Sequence, residues 1–202
     1  MKLSNKQLFT KIPKGFTLVE LLVVIAIIAT LGALSYGPIL KVIENANVVK
    51  SSKVCKDLVA AVDSFQLEYG YLPFIGTDFP TADTEILTDN IAFLDVLMGN
   101  NTDVNPKGIS YFDADQADGP NDGLVLDTTN GNPVSLLDKW GNPYHILLDY
   151  DGDGTIDLST LLTDIDADSG AYQNQSIRTQ TAIALSPGSS MTFDEVGDSA
   201  SF

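Results

Sequence analysis

FTLVELLVVIAIIATLGALSY, residues 16–36, is the stretch whose reading decides the fold. Its 21 residues are apolar except for Glu20 and a few small or hydroxyl-bearing side chains. As a helix it rises about 31 Å, enough to cross a hydrocarbon core. Lys2, Lys6, Lys11 and Lys14 precede it, and no acid lies among residues 1–15. That positive flank stays cytoplasmic and the rest of the chain is exported. A removable secretory signal has an apolar run of only about 7–15 residues and ends at a small-residue cleavage site with a polar exit. Neither feature is present, so the helix reads as retained. Glu20 is the informative residue in it. A carboxylate costs roughly 2.5–3.5 kcal/mol at the centre of a membrane helix and less near the interface, which implies a cation nearby. The leader lysines are candidates. A cut just before Phe16 would also create an α-amino group one turn from Glu20, able to pair with that carboxylate on a neighbouring chain.

Lys14-Gly15-Phe16-Thr17-Leu18-Val19-Glu20-Leu21-Leu22 resembles the prepilin processing signal of the type IV pilin-like family: a basic leader, a glycine, an aromatic first mature residue, and a glutamate five residues into the mature chain. The resemblance implies that a membrane prepilin peptidase cuts between Gly15 and Phe16, that Phe16 is N-methylated, and that Glu20 directs subunit docking. Removing 15 of 202 residues leaves a mature chain of 187. Pilin-like helices usually carry a proline 22 residues into the mature chain. Here Gly37 holds that place and Pro38 follows; both weaken a helix, so a kink or a melted segment is expected at 37–38.

Beyond Pro38, Ile39, Val42, Ile43, Ala46, Val49, Val54, Leu58, Ala61, Val62 and Phe65 recur near helical spacing, with polar residues mostly between them. This amphipathic continuation ends at Tyr69-Gly70, with the glycine as C-cap and Pro73 just beyond. The chain thus divides into a leader (1–15), a transmembrane helix (16–38), an amphipathic stem helix (39–73) and an exported head (74–202). The expected fold class is α+β: one long N-terminal helix packed on a small antiparallel sheet. A membrane anchor with a periplasmic domain would obey the same physics, and only the processing signal favours a fibre subunit over it.

Charge is segregated. From residue 58 onward 24 acidic residues face only Lys107, Lys139 and Arg178, a net charge of -21. Such a surface repels nucleic acid and anionic headgroups and attracts divalent cations. The single cysteine, Cys55, forbids an intramolecular disulfide and reads as a small packing residue. His145 lies in an apolar run without a partner motif and reads as structural. Residues 74–137 show one short helix around Ile91–Met98 amid Asn-, Gly- and Pro-rich loops. Asp113, Asp115, Asp118 and Asp122 in them read as solvated loop acids. The last thirty or so residues are polar and read as partly loose.

LLDKWGNPYHILLDYDGDGTIDL, residues 136–158, holds two further signals. Gly141-Asn142-Pro143 makes a turn that launches a strand over Tyr144–Leu148, with Trp140 and Tyr144 as core anchors. Asp149, Asp151, Asp153 and Asp157 then place oxygen ligands at first, third, fifth and ninth positions, with Gly154 sixth and Ile156 eighth. This is the start of an EF-hand-type calcium loop. The twelfth position is Thr160, not glutamate, and no helix pair flanks it. Two readings stay open: a calcium site, favoured because crowded aspartates repel one another without a cation, and a bare acidic turn between strands. The stretch Trp140-Gly141-Asn142-Pro143-Tyr144, preceded by Asp138, is similar to the Asp-Pro-Trp-Gly-Asn-Pro-Tyr signature of type II secretion major pseudopilins, with Lys139 replacing the usual proline. LVAAVDSFQLEYGYLP (58–73) also resembles them.

That resemblance implies structural Ca2+ in the loop after the Tyr144 strand and a role as a pseudopilus subunit supporting export across the outer membrane. It also implies the partners: copies of itself, other pseudopilins, the prepilin peptidase, an inner-membrane assembly platform and, before assembly, the membrane. The alternative is a type IV pilin of an adhesion, motility or DNA-uptake fibre. Such pilins commonly close the head with a disulfide, which one cysteine forbids. The implied location is the bacterial inner membrane, N-terminus cytoplasmic and head periplasmic, then a periplasm-spanning fibre. No Ser/His/Asp or Cys/His arrangement and no phosphate-binding glycine loop points to an enzyme.

Overall fold

The structure is a computed structural model. It describes residues 15–117, 119–129, 131–158, 176–178, 181–188 and 199–200, without the side chains of 37, 38, 157, 176–178 and 199–200. Two compact units divide the chain, residues 1–43 and 44–202. The first helix, α1 (Leu18–Tyr69), begins in one and ends in the other.

In the first unit, α1 is the expected apolar helix. It runs through 37 and 38 without a break, so the melted segment expected there is corrected. A proline removes one backbone donor and strains one turn. An apolar stretch whose carbonyls have no other partner in lipid keeps the remaining helical bonds.

In the second unit, Ser51, Cys55, Leu58, Val62 and Phe65 recur at helical spacing and are all buried, which makes them the inward stripe of α1. The helix stops where expected: Gly70 takes φ +77° and donates its N–H to the Gln66 carbonyl at 2.7 Å. The short helix foreseen around residue 94 is α2 (Ala92–Leu97), which buries Phe93, Leu94, Val96 and Leu97. The sequence reading missed three strands in this region: β1 (Thr84–Leu87), β2 (Gly123–Leu126) and β3 (Pro133–Leu137). β2 and β3 pair as an antiparallel hairpin.

The expected strand after the Gly-Asn-Pro turn is β4 (His145–Leu148). β5 (Thr155–Asp157) pairs with β6 (Ser176–Arg178), and β7 (Ala182–Ser186) and β8 (Ser199–Ala200) follow. The main sheet is antiparallel in the order β1-β4-β7-β8. Its central strands β4 and β7 are buried at every residue, so both faces are covered, mostly by apolar side chains, with buried His145 and Ser186 at their ends. Ile146, Leu148, Ala182 and Ala184 share one core with the inward stripe of α1 and with α2. The α+β class is as expected.

Within this core Phe65 meets the rings of Tyr69, Tyr71 and Tyr111 at centroid distances of 4.6–5.7 Å. Cys55 is buried, and burial pushes its thiol above the ordinary value. Tyr144 is buried as expected, but Trp140 is only half-buried and lies outside the core. The reason is the turn. Buried Asp138 accepts hydrogen bonds from the N–H of Trp140 (2.9 Å), the N–H of Asn142 (2.8 Å) and the Ser186 hydroxyl (2.8 Å). That fixes position 140 at the corner, and Gly141 follows at φ +91°, where a Cβ would lie 2.9 Å from the Asn121 side chain. His145 has a partner the sequence reading lacked: its Nδ1 contacts Glu85 of β1.

Candidate functional site

At the start of α1, Thr17 and Glu20 close on each other. Glu20 Oε2 accepts from the Thr17 N–H (2.8 Å) and the Thr17 hydroxyl (2.7 Å), and the Glu20 N–H donates back to Thr17 Oγ1 (3.2 Å). This is a capping box, satisfying donors that every helix start leaves open. Glu20 therefore caps its own helix within one chain. Around it, Phe16, Leu18, Val19, Leu21 and Leu22 are all more than half exposed. An apolar surface this continuous needs lipid or other protein to cover it.

The second cluster lies after β4. Gly152 (φ +72°) and Gly154 (φ +76°) fold residues 149–155 into a tight loop. Buried Asp149 accepts from the N–H of Gly152 (2.7 Å) and of Gly154 (2.9 Å); Asp151 accepts from Asp153 (3.0 Å), and Asp153 from Thr155 (2.7 Å). A third carboxylate arrives from the segment before β1. Asp83, Asp149 and Asp151 each bring a carboxylate oxygen within 4.8 Å of the others. Among the described residues, Asp83 Oδ1 is buried without a hydrogen-bond partner. Burial first, and then the charges of Asp151, Asp149 and Asp153, push the Asp83 carboxyl up to about 6, against a hydrogen bond from the Tyr150 backbone that lowers it. The Tyr150 hydroxyl donates to the Pro73 carbonyl at 2.6 Å, and its ring meets Phe79 edge-on at 5.4 Å. These contacts fasten the 73–83 segment to the loop.

Residues 11–36 match the family described as the prokaryotic N-terminal methylation motif. The chain carries a prepilin-type signal. That signal sits at the start of one apolar helix long enough to cross a membrane, as a type IV pilin-like signal does. No curated protein and no solved structure matches it.

The matched stretch of the prepilin-type signal takes in Gly15, Phe16 and Glu20. Sequence reasoning gave Glu20 a role between chains and missed its capping partner, although Thr17-Leu18-Val19-Glu20 spells the capping-box spacing. Of the four expected metal ligands, the structure brings Asp149 and Asp151 together. Asp153 lies outside their group of three, and the side chain of Asp157 lies outside the described residues. Asp83 was missed because no local motif marks it; only the fold brings it to the loop. Asp122, read as a loop acid, pairs with Lys50 (2.7 Å) and Lys139 (3.4 Å). Burial pushes Asp122 up, but those lysines outweigh it and hold the carboxyl below its ordinary value. Asp118 lies outside the described residues.

The donors of the cluster decide which cation suits it. They are hard carboxylate oxygens with no histidine or cysteine among them, which suits Ca2+ or Mg2+ over zinc or copper. The orphaned oxygen of Asp83 lacks a partner that a cation would provide. The residues fit.

Proposed function

We propose that this chain is the precursor of a type II secretion pseudopilin, a fibre subunit whose exported head is held together by calcium. The observation that carries the fibre reading is the prepilin-type signal on an apolar stretch of α1 whose side chains from Phe16 to Tyr36 are exposed. Cleavage between Gly15 and Phe16 by the prepilin peptidase frees an α-amino group, which is methylated. The mature helix waits in the inner membrane, head in the periplasm, until the assembly platform adds it to a fibre with other copies and other pseudopilins. Glu20 serves in turn as helix cap within the chain and as acceptor for the amine of an incoming subunit.

The preference for secretion over an adhesion, motility or DNA-uptake pilus rests on the head. A lone buried cysteine leaves it without a disulfide, and the carboxylates of Asp83, Asp149 and Asp151 supply another way to tie distant segments. Bound calcium would neutralise their mutual repulsion and link the lead-in to β1 with the loop after β4. Asp153 and Asp157 remain candidate ligands. Deleting the gene tests the assignment: loss of protein export with adhesion and motility intact supports it, and lost adhesion or motility with normal export sinks it.

A further inference from the structure

The face of α1 turned away from the head core has its own pattern. Val49, Lys53, Lys56, Ala60, Ser64 and Leu67 follow one another at helical spacing and are all exposed. They lie two residues out of step with the buried stripe, which on a helix is nearly the opposite side. Both ends of this face carry a large apolar side chain in solvent, Val49 at 68% exposure and Leu67 at 88%. Between them stand two lysines. Lys53 is paired along the helix with Asp57, whereas Lys56 makes no ion pair among the described residues. The charge changes sign near here. Residues 39–57 hold Lys41, Lys50, Lys53 and Lys56 against Glu44 and Asp57, while everything after residue 57 sums to -21.

We propose that this outer face of α1, from Val49 to Leu67, docks against the acidic head surface of a second copy of the chain. The inference rests on the fibre reading above and names the surface that reading leaves open. Two acidic heads repel each other, so a head-to-head contact is disfavoured, whereas a basic stem face meeting an acidic head is complementary. The two patches occupy different places on one chain, which makes the contact heterologous. A heterologous contact that does not close repeats without end and builds a helical filament. Val49 and Leu67 give it apolar anchors, and the lysines give it register.

The test is a photo-crosslinking amino acid at Leu67 in the full chain, in cells that assemble fibres. The expected adduct has the mass of two copies, with the cross-link mapped after residue 57 of the second. Lys56→Glu replaces attraction by repulsion and lowers the adduct and the fibre-bound fraction about tenfold, Lys56→Gln less so. Fibres without the adduct, an adduct to a different protein, or Lys56→Glu matching Lys56→Gln overturns the surface and leaves the fibre reading standing. Absence of fibres from the unaltered chain overturns both.

Discussion

Replacing Asp83 by asparagine separates a calcium site from an acidic turn, because the two predict opposite signs. Asparagine keeps the size of the side chain and removes its charge. Without metal, Asp83 is held beside Asp149 and Asp151 with a buried, unpartnered oxygen, and its carboxyl is pushed up to about 6. Solvent at the rim of the cluster screens part of that repulsion, and about 1 kcal/mol of relief is the reasonable size. For a unit this large that raises Tm by roughly 2–4 °C in chelator. With calcium at a hundredfold excess over Kd, binding stabilises the unaltered chain by about 2.7 kcal/mol, or roughly 5–10 °C. Asp83→Asn gives up much of that gain, so in calcium the variant melts below the unaltered chain. The assay is thermal melting of the detergent-solubilised chain, read by the fluorescence of its single tryptophan, Trp140. Magnesium should move Tm less, since it demands tighter octahedral geometry and sheds water reluctantly. The reasoning fails if calcium leaves Tm unmoved, if magnesium matches it, or if Asp83→Asn shifts Tm by the same amount in chelator and in calcium.

Four further outcomes follow from the same geometry. In chelator, melting should rise as pH falls from about 7 to 5: Asp83 titrates near 6 when folded and near 3.8 when unfolded, so the folded state takes up the extra proton in that window; in calcium the trend should reverse, because protonation removes a ligand. Glu20→Gln keeps the capping-box acceptor and loses the charge, so α1 stays helical by circular dichroism while fibre assembly fails; Glu20→Ala loses both, and normal assembly of the Gln variant would show that the charge is not the docking group. Mass spectrometry of the mature chain should show N-methylated Phe16 at its start, and an intact leader or a cut beyond residue 30 is the refuting result. Asp138→Ala strands three donors at the Trp140 turn, two backbone N–H groups and the Ser186 hydroxyl; it should cost about 3 kcal/mol in a denaturant titration, and a loss below 1 kcal/mol would mean water replaces the carboxylate.

The sequence by itself determined what repeats or what depends on neighbours in the chain. The apolar run from Phe16 and the helical spacing through Phe65 set α1. Gly70 set its end, because a glycine tolerates the left-handed conformation that stops a helix. The strand after Pro143, the short helix at Ala92–Leu97 and the aspartates of the 149–157 loop were legible for the same reason. Only the tertiary structure decided what depends on residues distant in the chain. Thr84–Leu87 is four residues with no clear alternation, and it becomes β1 by pairing with the fully buried β4. His145 finds Glu85 across that pairing. Asp138 stays buried because Ser186, from β7, helps satisfy it. Asp83 carries no motif, and it meets Asp149 and Asp151 because Tyr150 ties Pro73 to the loop. A chain's local pattern records the conformations its residues prefer. Which carboxylates share a site is set by how the elements pack, and no local spacing encodes that.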